Sequence, residues 1–284
     1  YYMDIVNKVF VQPTTTYFEG FGNVPDCYLA YNSTQDCASA DLTVRNSFLK
    51  VNPDHDYEPK AYTGDHMRRA GYFVTDRPGH HEQYGPLDSE RVRLINRYNI
   101  WQSSHLKDPD SGEFIRCTAN DAAETCTQTG SLCDVEWARI REERTDAGQL
   151  HGICTLPYSE REVKTVAYHL SPQFPIELEE TAQAVVSQWN DSFAQTVASL
   201  RRIECESDAE SSDSCTDDMS FAPKQDVLVL CHNPVLSDDP EACGSEGIQA
   251  QLGDLRYSML GWVNEPNSFS PLGYGPSMAD PQSG

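Results

Sequence analysis

Residues 176–202 carry Leu178, Ala182, Val185, Val186, Trp189, Phe193, Val197 and Leu200 at helical spacing, and this stretch limits the folds open to the chain more than any other feature. An apolar stripe of that length has to lie against another apolar surface. Pro172 and Pro175 stand just before it, and Glu177, Glu179 and Glu180 crowd its first turn, where the positive end of a helix favours carboxylates. Runs of strand length flank the helix at residues 162–170 (EVKTVAYHL) and 226–230 (DVLVL). A further strand is expected at 255–263, where Leu255, Tyr257, Met259 and Val263 point to one face and Arg256, Ser258, Leu260 and Trp262 to the other, read as a strand covered on both faces. The order is β-α-β-β, a sheet backed by a helix.

Gly and Pro dominate the residues after Val263, up to Asp280-Pro281-Gln282-Ser283-Gly284. Asp supplies a side-chain acceptor, Pro fixes φ near −65°, and Gly leaves through the left-handed region, so the pentapeptide reads as a hairpin turn with a strand expected after Gly284. Asp108-Pro109-Asp110-Ser111-Gly112-Glu113 resembles a calcium loop at first sight, but its match to the terminal pentapeptide favours a second turn. The first half reads as strands and long loops: extended segments are expected at 1–11, 42–51, 72–75 and 113–117, and residues 91–101 fit either a strand or a short helix. A helix is expected over 134–144, capped by Asp134. The chain thus divides into a strand- and loop-rich region over 1–157 and a β-α-β-β region over 158–284, the latter interrupted by an acidic, serine-rich insertion at about 204–218.

Ten cysteines, in 284 residues, lack the paired C-x₂-C clusters of a structural zinc site. Disulfides are the better reading. Cys27 with Cys37, Cys205 with Cys215, and Cys231 with Cys243 can each close a short polar loop, leaving Cys117, Cys126, Cys133 and Cys154 to pair among themselves. That places the chain in an oxidising compartment: periplasm, outer-membrane surface or medium. A formal charge of −23 disfavours nucleic acid as a partner. No run reaches the length of a membrane span, and the first residues lack the order of a signal peptide.

Local catalytic motifs are absent from the sequence. Among His55, His66, His80, His81, His105, His151, His169 and His232 no pair has the i, i+4 spacing of a zinc helix; His81-Glu82-Gln83-Tyr84-Gly85 comes nearest, with Gly85 in the place of the second histidine, and His80 and His81 read as loop residues. Gly275-Pro276-Ser277-Met278-Ala279 fails the nucleophile-elbow pattern in spacing and in context. Asn32-Ser33-Thr34 and Asn190-Asp191-Ser192 match the glycosylation acceptor pattern, although Asn190 falls within the expected helix. The acidic insertion at 204–218 could bind calcium, and a solvated loop is the simpler reading.

The succession of Val166-Ala167-Tyr168-His169-Leu170, a proline-containing turn, a helix with Trp189-Asn190-Asp191-Ser192-Phe193, then Gly253-Asp254-Leu255-Arg256-Tyr257-Ser258, Trp262-Val263, Tyr274-Gly275-Pro276-Ser277 and Ala279-Asp280-Pro281-Gln282-Ser283-Gly284 resembles the zinc-dependent metallopeptidase-like proteins of bacterial envelopes, in the zincin and more narrowly the metzincin-like class. The resemblance covers about residues 163–284. It implies an α+β fold, with a mixed twisted sheet and a backing helix forming the upper part of a catalytic domain. It also implies a strand after the Asp-Pro-x-Ser-Gly turn that borders a substrate cleft. The zinc ligands and the general-base glutamate would lie beyond Gly284, so no catalytic, cofactor or metal residue is assigned here. A companion polypeptide or a continuation of the chain is expected to pair with the edge near residues 274–284, with a homo-oligomer as another way to cover it. The alternative is a non-catalytic extracellular assembly protein that uses the same scaffold and its open strand edges for subunit contacts.

Overall fold

The computed structural model describes residues 1–31, 40–50, 56–62, 64, 71–81, 83–120, 122–126, 130–141, 148–207, 215, 221–264, 273, 275, 278–281, 283 and 284. The chain forms two compact units, Tyr1–Lys50 with Gln251–Arg256, and Val51–Ala250 with Tyr257–Gly284. The second unit runs through residue 157, where the sequence suggested a change of region.

In the smaller unit, β1 (Tyr2–Val11) pairs antiparallel with β4 (Ala40–Leu49) in unbroken register from Tyr2↔Leu49 to Val11↔Ala40. A hairpin of β2 (Thr15–Phe18) and β3 (Gly22–Pro25) leads into α1 (Asp26–Tyr31). Asp26 accepts the Thr14 and Thr16 hydroxyls, both at 2.6 Å. Residues 251–256 clamp onto the ribbon: Arg45 bonds both Asp4 and Gln251, Ser47 donates to the Gly253 carbonyl, and the Arg256 guanidinium lies 4.2 Å from the Tyr2 ring centre.

The larger unit begins with a hairpin of β5 (Val74–His81) and β6 (Gly85–Ile95), its register shifting between Arg77 and Gly79. Pro78 explains the shift, because a proline lacks the N–H that a continuous ladder needs. His80 and His81, expected in a loop, pair with Pro86 and Gly85 at the end of β5. The reason is Gly85 at φ 74°, which closes the turn tightly enough for pairing to reach these residues. Residues 57–62 run along β6, with an Ala61↔Leu94 bridge and bonds from the Tyr62 amide to the Arg93 carbonyl and from the Ile95 amide to the Lys60 carbonyl.

A disulfide-bonded lobe comes next in the chain. β9 (Gly152–Cys154) lies between β7 (Arg116–Cys117) and β8 (Cys133–Asp134), with α2 (Ala122–Thr125) and α3 (Val135–Arg141) beside them. Cys117 bonds Cys133 and Cys126 bonds Cys154, so the four residues left over in the sequence do pair among themselves. Cys205–Cys215 and Cys231–Cys243 form as expected. Cys27 is disulfide-bonded, and the expected Cys27–Cys37 pairing reaches outside the described residues. Asp108–Gly112 is a turn that closes the Lys107↔Phe114 bridge, its Asp108 Oδ1 accepting the amides of Asp110 and Ser111. These bonds hold the Asp108 carboxyl below its ordinary pKa.

The second half has the expected order. β10 (Val166–Leu170) is the centre of a three-stranded sheet in the order β11-β10-β12, with β11 (Leu228–Cys231) and β12 (Ser258–Leu260) both parallel to it. This sheet is parallel throughout rather than mixed. A 3₁₀ turn at Ile176–Leu178 opens α4 (Glu179–Ser207), the crossover from β10 to β11. Tyr168, Leu170, Leu228 and Leu230 pack toward Ala182 and Val186 of α4. Ala167, Val229 and Cys231 pack with Val235, Cys243 and Ile248. Both faces are therefore covered, as a parallel sheet requires.

The 29 residues of α4 reach about 43 Å, far longer than strands of four or five residues. Its second half finds another surface, with Val197 fully buried among Trp101, Val163 and Val227. The helix also runs past its expected end at Arg202, because the Glu204 carboxylate accepts the amides of Tyr158 and Ser159 at 2.8 Å and Cys205 is cross-linked. The expected insertion thus starts as helix, and most of the rest of it lies outside the described residues. Val185 and Trp189 of the expected stripe remain exposed, since the sheet beneath is only three short strands wide.

The strand expected over 255–263 shrinks to Ser258–Leu260. Asp254 is the cause: its Oδ1 accepts the Arg256 amide at 3.0 Å, and the Arg256 guanidinium bonds both carboxylate oxygens. A local side-chain turn of this kind competes directly with strand geometry.

Candidate functional site

In a parallel sheet the carboxyl ends of the strands and the start of the crossover helix form the place where ligands usually enter. Here that place is a cleft of about 230 Å³ with Leu170, Leu230 and Cys231 as its floor and Glu179, Glu180 and His232 on its rim. Asp239, its side chain 3% exposed, holds His232 in place: Oδ1 lies 2.7 Å from the ring Nδ1, and Oδ2 accepts the amides of His232 and Leu236. The hydrogen bond to Asp239 raises the His232 pKa, helped by the nearby charges of Glu179 and Asp238 against partial burial. A carboxylate-bound imidazole can hold and release a proton near neutral pH. A second depression of about 290 Å³ involves Asn190 and Asp226. The Asn190 amide donates to Asp226 and accepts from the amides of Val227 and Leu228. Those bonds tie α4 to β11, so the Asn190 side chain, which matches the glycosylation pattern only in sequence, is used in packing.

The second feature is an edge. Among the described residues β12 pairs only with β10. Beyond it Trp262 donates its amide to Ser171 Oγ and packs edge-on against Phe174, while Val263 is exposed. The Asp280–Gly284 turn repeats the Asp108–Gly112 geometry, each glycine amide reaching its aspartate carbonyl at 2.8 Å. Gly284 sits at φ 79°, and a Cβ there would lie 2.6 Å from the Ile95 carbonyl, so glycine is required on both counts. Tyr274, the other end of the expected pairing edge, lies outside the described residues.

The third feature is a buried ionic cluster that the sequence did not disclose. His105 has a side chain of 0% exposure; its Nδ1 lies 2.7 Å from Asp56 Oδ1 and its Nε2 3.2 Å from Asp134 Oδ2. Asp134 also caps α3 as expected, accepting the Trp137 amide at 3.0 Å. Burial pushes the His105 pKa down, yet the hydrogen bonds to Asp134 and Asp56 outweigh it and raise it above 6.5. Burial pushes the Asp56 carboxyl up, and its bonds with His105 and Ser104 bring it below its ordinary value. Alongside, Glu58 meets Lys60 and the buried Arg161, whose guanidinium lies over the Tyr158 ring. Burial opposes ionisation of Glu58, but Lys60, Arg161 and Arg97 together hold its pKa at about 2.

These groups do not fit a zinc site. Both ring nitrogens of His105 are engaged by carboxylates, whereas His232 and His169 use one ring nitrogen each, Nδ1 with Asp239 and Nε2 with the Cys243 carbonyl at 3.2 Å, and what they lack among the described residues is a neighbouring set of further donors. Among the described residues the one group of three donor atoms close enough for a metal is Cys117, Cys126 and Cys154. Those sulfurs are locked in disulfides and offer no thiolate. His55 and His66 lie outside the described residues. The disulfides point to an oxidising compartment, and among the described residues no helix is long and apolar enough to cross a membrane. No protein-family model, curated protein or solved structure matches this chain.

Proposed function

We propose that this chain is the scaffold portion of a secreted or envelope zinc metallopeptidase-like protein. The sheet β11-β10-β12 and α4 form the upper part of its catalytic domain, and polypeptide other than the described residues supplies the zinc ligands. The observation that carries the reading is the edge of β12, unpaired among the described residues, in a sheet backed by one long helix, with an Asp-Pro-x-Ser-Gly turn later in the chain. An uncovered strand edge offers unpaired amides and carbonyls to another strand. On this reading an added strand covers the edge and borders the substrate cleft. No catalytic step is assigned to the described residues, because the one group of three close donor atoms among them is made of disulfide sulfurs.

The test is amide exchange at β12, compared between residues 1–284 and the longer polypeptide of which they would form part. Outer-edge amides of Ser258–Leu260 are expected to exchange rapidly in the first and slowly in the second. Equal exchange in both would remove the support. A second reading, an extracellular assembly protein that uses strand edges for subunit contacts, draws on the ribbon β1–β4, where Met3, Ile5, Val6, Val9 and Phe10 are all exposed. It requires concentration-dependent association of the chain and no zinc in the longer polypeptide.

A further inference from the structure

We propose that the Asp56–His105–Asp134 bridge is a proton-operated latch, fastening residues 56–62 and the β6 strand they run along to the disulfide-bonded lobe. With both carboxylates ionised, hydrogen counting makes His105 the imidazolium. An ionised carboxylate only accepts, and an imidazole carries an N–H on both nitrogens only as the imidazolium. Both ring nitrogens of His105 face a carboxylate oxygen at hydrogen-bonding distance, and no part of the side chain is exposed. Loss of the proton turns one of these contacts into two opposed lone pairs and leaves a buried carboxylate short of its partner.

The two carboxylates come from segments far apart in the chain. Asp56 opens the stretch that lies on β6 and also accepts the Ser104 amide at 2.9 Å; Asp134 caps α3 in the lobe held by Cys117–Cys133 and Cys126–Cys154. His105 joins them through its ring, while its own backbone bridges Thr155.

The other charged groups of the cluster leave this task to His105. Lys60, Arg97 and Arg161 gather at Glu58, with a weaker electrostatic influence of Asp134 on Lys60. Phe114 stands edge-on to the ring at 6.1 Å, with the Lys107 ammonium 4.7 Å from the Phe114 ring centre and Trp137 edge-on to Phe114.

Because the folded pKa is raised above 6.5, the stabilisation is fully present below about pH 6.5 and is lost as pH rises through the folded value. The latch is closed while the imidazolium and both carboxylates are ionised and opens as pH rises through the folded His105 value.

The test uses the full chain. Long-range proton–nitrogen NMR of the histidine rings is expected to show His105 titrating from imidazolium to neutral with a midpoint above 6.5. Amide protection factors, corrected for intrinsic exchange, are expected to fall at least tenfold at residues 57–62 and 104–105 as pH passes through the His105 pKa. In His105→Gln the step should vanish; in Asp56→Asn, where one charge is gone, the His105 midpoint should move down. A His105 midpoint at or below 6.5, protection that stays flat to pH 10, or the same fall in His105→Gln would overturn the latch. The wild-type measurements decide the matter even where a variant does not fold.

Discussion

Replacing Glu58 by Gln keeps the shape of a buried side chain and removes its charge. Glu58 is 8% exposed; its carboxylate accepts from Arg161 at 3.1 Å and from Lys60, and Arg161 itself is 3% exposed. The substitution leaves Arg161 with the Leu156 carbonyl and the faces of Tyr158 and Trp101, none of which carries a balancing charge. A carboxyl whose pKa falls from 4.5 to about 2 on folding contributes about 3 kcal/mol above the higher value. Breaking a buried ion pair costs about 3–5 kcal/mol as a general figure, so two routes give roughly the same loss. The sign comes from the depressed pKa: the stabilisation is present above about pH 4.5 and disappears as pH falls through about 2. Urea denaturation with disulfides intact, monitored by tryptophan fluorescence, should show Glu58→Gln about 3 kcal/mol less stable than wild type at pH 7, with the gap closing toward pH 2. A gap below about 1 kcal/mol at pH 7, or one that does not change with pH, would refute the reasoning.

Val197→Ala, at a fully buried position, should cost about 2 kcal/mol in the same assay, whereas Val185→Ala, at a site 47% exposed, should cost less than about 0.5 kcal/mol. Gly284→Ala and Gly112→Ala both place a Cβ at positive φ, but only the first meets backbone, the Ile95 carbonyl at 2.6 Å; thermal melting should show Gly284→Ala to be the more damaging by roughly 1 kcal/mol or more. Asp239→Asn removes the main cause of the raised His232 pKa, so an NMR titration should find the His232 midpoint lowered toward 6.5. Removing Cys126–Cys154, which joins a buried cluster, should cost about 2–5 kcal/mol.

The helix α4 and its two neighbouring strands were legible because each signal is local: a stripe at helical spacing, prolines before it, and short apolar runs on both sides. Cys205–Cys215 and Cys231–Cys243 were legible for the same reason, with separations of 10 and 12 residues. Pairing among the other four required the lobe itself, since Cys117 and Cys154 lie on adjacent strands yet bond elsewhere. β12 was read too long because alternation in 255–263 hid the Asp254 side-chain turn. His105 gave no signal at all. Its carboxylate partners stand 49 and 29 residues away, and only the close packing of three segments makes an ordinary histidine an ionic centre. His232 with Asp239 is nearer in sequence, yet the pairing depends on where the loop after β11 turns back.

The claim that this chain is the scaffold of a zinc metallopeptidase-like protein rests most directly on metal content, because the described residues offer no fitting ligand set. Elemental analysis after dialysis should find no stoichiometric zinc on purified residues 1–284, and one zinc per molecule on the longer polypeptide, lost together with peptide hydrolysis on chelation. Stoichiometric zinc on residues 1–284, or its absence from the longer polypeptide, would contradict the account.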